Sequence, residues 1–381
     1  MALAAFKALK SSGDVTGVPY VNFPAQFEDE REAINAIVEG VFVRGDFVGG
    51  KAVTELEAAL AERCGTAFAV TLGSGTDALI LGLIAAGLKP GDEVITPPNS
   101  FVASTSSIIH AGGIPVFVDV APDQGMDPER IEAVITPRTR AILPVHLTGR
   151  IADMDAINAI AARHGLFVIE DAAQSIGSVY HGKVSGSLGT LGCFSTHPLK
   201  NLGGAGDGGF VTTDDADVAK TLINLRNHGL EGRDTVTRWG FVSRMDTLQA
   251  AILLHRLTRL DDVIDARRAN AERYRDLLDP AYVFVPLERP DTLDTFHTFV
   301  IQVDRRDELQ AHLGTLGIET LIHYPVPLHL QPAAHDLGYG RGAFPQTEAQ
   351  AARILSLPIH QCLIPGQIEF TANVINAFFS A

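Results

Sequence analysis

Cysteine is nearly missing from this chain: Cys64, Cys193 and Cys362 are all there are. Three cysteines, odd in number and far apart, build neither a disulfide framework nor a CxxC metal site. A reducing cytoplasm is the expected setting. Long hydrophobic runs are missing too, and no uninterrupted apolar stretch is long enough to span a bilayer. Residues 1–7 lack a basic segment ahead of a long apolar run, the order a signal peptide has. Positive charge is scarce, with 30 Lys and Arg against 45 Asp and Glu, a net charge of −15. That balance argues against nucleic acid and anionic membranes as partners. An anionic ligand must then be held by local donors and helix N-termini rather than by a global field. There is no internal repeat and no low-complexity segment.

What is present fits a globular protein of two packed domains: 381 residues, 46% hydrophobic and 20% charged. Residues up to about 25 read as an extended arm, and 28–43 and 54–64 as helices. Short apolar runs then recur at 67–72, 93–96, 115–120, 141–145, 166–169 and 210–213. Helical patterns at 76–86, 104–110, 153–164 and 216–226 lie between most of them. Buried strands alternating with helices imply an α/β fold, a mainly parallel sheet covered on both faces. From 246 to 278 the pattern is a long helix with possible breaks. Strand-like segments at 282–285 and 296–303 and a helix at 307–316 follow. The division expected is a large domain over 1–256, arm included, and a smaller α+β domain over 257–381.

Ligands in such sheets bind beyond the strand C-terminal ends. The strand 166–169 ends in Glu170 and Asp171, and Lys200 lies twenty-nine residues beyond Asp171. A lysine on a loop and a carboxylate at a strand end are what pyridoxal 5'-phosphate (PLP) requires. The lysine holds the aldehyde as a Schiff base; the carboxylate keeps the ring nitrogen protonated. Gln174, three residues on, is placed to face the same ligand if a helical turn begins there. Gly73-Ser74-Gly75-Thr76-Asp77-Ala78 follows a strand and opens a helix, an arrangement whose free N–H groups suit phosphate. Ser195 is a further phosphate donor, and Phe101 an aromatic able to stack on a ring. The rival readings are a plain structural turn at 73–78 and a helix-capping or metal-binding role for Asp171.

The run 73–78 also matches a G-x-G-x-x-A dinucleotide fingerprint, but the next strand ends in Thr96-Pro97-Pro98 instead of an acid. Gly204 to Gly209 matches G-x-G-x-x-G yet leads into a strand. A nicotinamide cofactor is therefore disfavoured. His146, Asp153 and Asp155 are close in sequence without HxxE, HExxH or a carboxylate-rich loop, so no metal is expected. His323 and His329, on a proline-rich loop, are candidates for a pocket or for loop packing.

With these residues in place, the chain resembles the DegT/DnrJ/EryC1/StrS family of PLP-dependent sugar aminotransferases. The matches run almost end to end. They include Arg44 to Gly49, Ser74 to Leu79, Pro144 to Gly149, Glu170 to Gln174, Phe194 to Gly209, Arg244 to Ala251 and His323 to His329. The resemblance implies the aspartate-aminotransferase-like fold (PLP fold type I) and a homodimer with shared active sites. It implies that Lys200 is the Schiff-base lysine and Asp171 the partner of the pyridine nitrogen. Gln174 matches the residue near the ring hydroxyl, Phe101 the stacking aromatic, and Gly75, Thr76 and Ser195 the phosphate contacts. Relatives with histidine in place of Lys200 are dehydratases, and Lys200 argues against that branch. The chain departs from the family where Gly-x-Asn-x-Arg becomes Gly240-Phe241-Val242-Ser243-Arg244. The resemblance implies an asparagine there that reaches the partner subunit's cofactor phosphate; Val242 lacks that donor, so Ser243 or a backbone group substitutes, or one contact is lost.

The activity implied is transfer of an amino group from an amino acid, glutamate for choice, to a keto-sugar nucleotide. The segment from His323 to Ala333, with Tyr324, is more similar to members acting on 3-keto (6-deoxy) sugars than on 4-keto ones. His323, Tyr324 and His329 are the candidate substrate contacts. Amination of 4-keto sugars or keto-cyclitols, and a PLP-binding regulatory protein without turnover, are the alternatives.

Overall fold

A computed structural model describes residues 17–380 of the chain. The arm expected at the N-terminus lies mostly outside the described residues. In its described part, Val18 is fully buried and forms a parallel bridge with Ile318 of the same chain, and helix α1 (Phe23–Arg44) begins before the arm's expected end.

Seven strands form the main sheet: β1 (Phe68–Leu72), β2 (Glu93–Thr96), β3 (Ile114–Phe117), β4 (Thr139–Ile142), β5 (Phe167–Asp171), β6 (Leu191–Ser195) and β7 (Gly209–Thr213). Their spatial order is β1-β7-β6-β5-β4-β2-β3. β7 runs antiparallel to both its neighbours, and the other neighbouring pairs are parallel. This is the α/β sheet that the alternation implied. β6 is the strand that the alternation missed. Gly192, Cys193 and Ser195 replace the β-branched residues that mark a strand. Close neighbours keep Cys193 and Gly192 small: a Cβ on Gly82 of α3 (Gly75–Ala85) would sit 3.0 Å from Cys193 Sγ, and a Cβ on Gly192 would sit 2.4 Å from the Gly186 Cα.

The two faces follow from the period of two along each strand. Ile169, Cys193 and Val211 pack with α3 and α6 (Ala216–Leu225) on one side. Their neighbours point the other way. Phe194 and Phe210 pack with α2 (Lys51–Cys64) and α7 (Thr247–Leu257), and Val168 packs with α5 (Met154–His164). The Phe194 and Phe210 rings stack 4.4 Å apart, an arrangement worth ~1 kcal/mol beyond their burial.

The long helix expected over 246–278 is two helices, α7 and α8 (Leu260–Leu277). Segment 282–285 is not a strand and contributes one bridge, Phe284 to Gln302. A second core gathers Val18 with residues from Ala271 to Ile375, around the antiparallel pair β8 (Phe299–Gln302) and β9 (Ile354–Leu357). Helix α8 serves both cores: Leu260 and Ile264 face the main sheet's cluster, Ala271 and Tyr274 the second. Among the described residues, no helix is long and apolar enough to cross a membrane.

Candidate active site

The strand directions bring four strand ends together. β1, β5 and β6 finish, and β7 starts, on one edge of the sheet. Register fixes them: Leu72 and Ser195 both lie opposite Gly209, and Asp171 opposite Cys193. Beyond this edge is a cavity of about 380 Å³.

Asp171 stands on its floor, 5% exposed. Its Oδ2 accepts a hydrogen bond from Ser104 Oγ at 2.6 Å, and its Oδ1 accepts from the Ala173 N–H at 3.2 Å. Burial raises the Asp171 pKa; the two hydrogen bonds and the nearby Lys200 charge oppose that rise. Lys200, partly buried, lines the same cavity. Burial pulls its amine down to about 8, against a smaller upward pull from Asp171. The low-polarity floor thus disfavours charge on both groups, and each offsets part of the other's cost.

The lysine's loop is closely packed, not slack. The Lys200 N–H donates to His197 O at 2.8 Å, and the Gly204 N–H to Thr196 O at 2.7 Å. A Cβ on Gly203 would fall 2.4 Å from Pro198 O, so only glycine lets the chain double back there.

The opposite wall is the start of α3. Ser74 caps this helix by accepting the Asp77 N–H at 3.0 Å. The N–H groups of Gly75 and Thr76 have no intrahelical acceptor and sit at the positive end of the helix. A Cβ on Gly75 would lie 2.5 Å from Ser195 Cβ, so glycine brings the helix start against Ser195. Gly75, Thr76 and Ser195 all line the cavity.

Gln174 lines it as well, with its Oε1 held by the Thr148 N–H at 2.7 Å. Phe101 is half-exposed at the rim, 5.7 Å from the Tyr324 ring. Tyr324 and His323 complete that side. His323 Nδ1 pairs with Ser356 Oγ at 2.8 Å, and burial lowers its pKa to about 4.

Two candidates lie elsewhere. His329 is buried against Phe344, with Nε2 3.0 Å from Glu348 Oε1, so it packs the loop and does not line the cavity. Ser243 is behind the α3 turn: it accepts the Gly73 N–H at 3.0 Å and donates to Asp77 Oδ2 at 2.8 Å. These two bonds hold Ser243 against the turn that opens α3, outside the residues that line this cavity. Val242 is exposed.

Sequence reasoning missed Ser104, His197, Asp207 and His297, which also line the cavity. Ser104 had a signal: it is one helical turn after Phe101, at the start of α4 (Val102–His110). His297 comes from the second core and had none.

His146, Asp153 and Asp155 do not converge. Asp153 caps α5, Asp155 pairs with His181, and His146 Nε2 bonds Glu170 Oε2 at 2.9 Å. Glu170 is fully buried and also accepts the N–H groups of Gly186, Leu188 and Gly189, each at 2.7 Å. It thereby ties the 186–189 turn to the strand that carries Asp171. Glu170→Ala strands one buried and two half-buried donors, at about 1–3 kcal/mol each, and removes the partner of the buried His146. We expect stability to fall by at least ~3 kcal/mol, read from the urea midpoint at constant slope.

The site residues present fit PLP. A carboxylate and an amine share one floor, an open helix start faces them, and an aromatic stands at the rim.

Known proteins agree with this geometry. A "Pleiotropic regulatory protein" of Geobacillus stearothermophilus is 42% identical over 366 residues, 95% of this chain and 98% of its own. The dTDP-3-amino-3,4,6-trideoxy-alpha-D-glucose transaminase of Streptomyces venezuelae is 41% identical, covering 92% of this chain and 93% of its own. The crystal structure of S. venezuelae DesV, in complex with a ketimine intermediate, superposes with a TM-score of 0.94. It is 40% identical and covers 96% of this chain and 100% of its own. The DegT/DnrJ/EryC1/StrS aminotransferase family profile matches residues 28–378. The chain belongs to the DegT/DnrJ/EryC1/StrS aminotransferase family.

Proposed function

We propose that the protein uses PLP to move an amino group from an amino acid, glutamate for choice, to the C3 keto group of a nucleotide-linked sugar. The observation that carries this is the shared floor of Asp171 and Lys200, opposite the open start of α3. When bound, PLP supplies an aldehyde that carries the amino group and a ring that accepts the electron pair left on the donor's α-carbon. Asp171 holds the proton of the ring nitrogen. Gly75, Thr76 and Ser195 hold the phosphate, and Phe101 covers the ring. Lys200 anchors the aldehyde, and its freed amine carries the α-proton away and back. His323 and Tyr324 face the acceptor. The C3 position is supported by the name of the S. venezuelae relative and by the segment beginning at His323.

In this reading residues 1–256 hold the cofactor and 257–381 form the smaller domain, with a cytoplasmic homodimer sharing its sites. The loop with Trp239, 92% exposed, and Val242, 64% exposed, supports the dimer, since large apolar groups left in water suit an interface.

The test is spectroscopic. The PLP-loaded protein loses its visible absorbance with glutamate, and a 3-keto-sugar nucleotide restores it. Recovery only with 4-keto sugars or cyclitols moves the substrate; no response to any amino acid defeats the transaminase reading. That last result favours the second reading, a regulatory protein, which the name of the G. stearothermophilus relative keeps in view.

The pKa of Lys200 gives a pH prediction. With a pKa of about 8, roughly one amine in eleven is neutral at pH 7. Capture of PLP by the cofactor-free protein should speed up as pH rises and level off above about 8. Stopped-flow absorbance between pH 6 and 10 reads this. In Asp171→Asn the upward pull on Lys200 is gone, so the inflection moves to lower pH.

A further inference from the structure

A second, smaller cavity of about 40 Å³ adjoins the first, and Leu199, His297 and His323 line both. It has room for about three waters or one carboxylate, and is far too small for a diphosphate. Its walls are unusual in polarity. Seventeen buried side-chain N and O atoms among the described residues lack a hydrogen-bond partner. Five of them belong to residues lining this one space: Tyr20 Oη, Arg267 Nε, His297 Nδ1, Thr298 Oγ1 and His360 Nδ1. Unpaired polar atoms in a protein interior call for a partner.

Arg267 gives that partner its sign. The residue is 6% exposed on α8. Its Nη1 donates to the carbonyls of Phe296 and His297, both at 3.1 Å, and its Nη2 to Gln361 Oε1 at 3.5 Å. Among the described residues no carboxylate is within ion-pair distance of it. Burial lowers its pKa to about 10, with small opposing effects from Tyr20 and Cys362. A buried guanidinium without a counter-ion is costly, and a ligand anion removes that cost. The neighbours reinforce the sign. Burial keeps His297 and His360 neutral, their pKa values well below the usual range and about 4. Tyr20 and Thr298 bring hydroxyls able to donate; Ser356, near Tyr20, is engaged by His323.

We infer that Arg267 receives a carboxylate of the amino-acid donor, with Tyr20, His297 and Thr298 around it. This rests on the transaminase reading above. Of the ligands such an enzyme handles, only the donor brings an anion of this size next to Lys200. The helix start at Gly75 is already the phosphate site.

The test separates the two halves of the reaction in the PLP-loaded protein. Apparent donor affinity is read from absorbance loss with glutamate, and with alanine, which has only the α-carboxylate. Acceptor affinity is read from recovery with the keto-sugar. Arg267→Met should weaken glutamate roughly 10- to 150-fold and leave the acceptor within about twofold. Arg267→Lys should recover part of the loss, and Tyr20→Phe should weaken the donor roughly 2- to 10-fold. Unreactive glutarate should raise the melting temperature of the wild type and not of Arg267→Met. If Arg267→Met does not fold, Arg267→Lys and Tyr20→Phe decide. The inference is overturned if donor and acceptor weaken together, if neither moves, or if glutarate stabilises all variants alike, as a water-filled cavity would allow. A wild type that never responds to an amino acid overturns the transaminase reading instead.

Discussion

Lys200→Ala is expected to remove roughly 10⁴-fold of turnover while leaving the fold intact. A positioned acid–base group is worth about 10²–10⁴ in rate, and this amine has a second role in anchoring the cofactor aldehyde. Both are lost together, so the upper end applies. The fold survives because burial outweighs the partner charge at this amine: Asp171 pulls its pKa up by less than burial pulls it down. A depressed lysine pKa costs stability wherever the unfolded chain is protonated. That cost is complete below about 8 and fades as pH rises towards the ordinary lysine value near 10.5. The cofactor-free variant should therefore match or exceed the wild type in melting temperature at pH 7, with the gain shrinking above pH 8. Added methylamine fits the vacated space in a cavity of about 380 Å³ and should restore part of the rate. A variant with full turnover, or one whose loss is explained by unfolding, removes Lys200 from its role.

How this site could be foreseen is clearest from residues that share a strand end. Asp171, Lys200 and Gly75 announced themselves because each sits beside a local pattern: an apolar run, a glycine-rich turn, a capped helix start. Their meeting then follows from parallel strands finishing on one edge. Ser243 and His329 do not line the cavity, and the partners that hold them come from afar. Asp77 is 166 residues from Ser243 and takes its hydroxyl; Glu348 holds His329 from a later helix. Nothing local reports such a partner. His297 and Arg267 were invisible for the same reason, since only the packing of the second core brings His297 to the cavity of Lys200 and Arg267 to the smaller one adjoining it. β6 escaped because close neighbours, α3 against Cys193 and the Gly186 backbone against Gly192, select small residues over those that signal a strand.

Asp171→Asn should cut turnover by roughly 10³-fold and, in the cofactor-free protein, raise stability. The substitution preserves shape. An asparagine still accepts the Ala173 N–H, and its amide can donate to Ser104, which accepts as readily as it donates. What disappears is the negative charge beside the ring nitrogen. Breaking a buried ion pair costs about 3–5 kcal/mol, which at ~1.4 kcal/mol per decade gives a loss of two to four decades. Without cofactor the charge has no such partner, and burial holds the Asp171 pKa above its ordinary 3.8. The sign follows. Between 3.8 and the raised value the folded chain binds the extra proton, so wild-type stability falls as pH rises through that window. The asparagine variant has no such loss and gains on the wild type as pH passes upward from about 4. PLP should reverse the order, stabilising the wild type more than the variant at pH 7. Melting curves of both proteins with and without PLP measure this crossing. If the variant is no more stable without cofactor, or if it turns over normally, Asp171 is not the counter-charge of the ring.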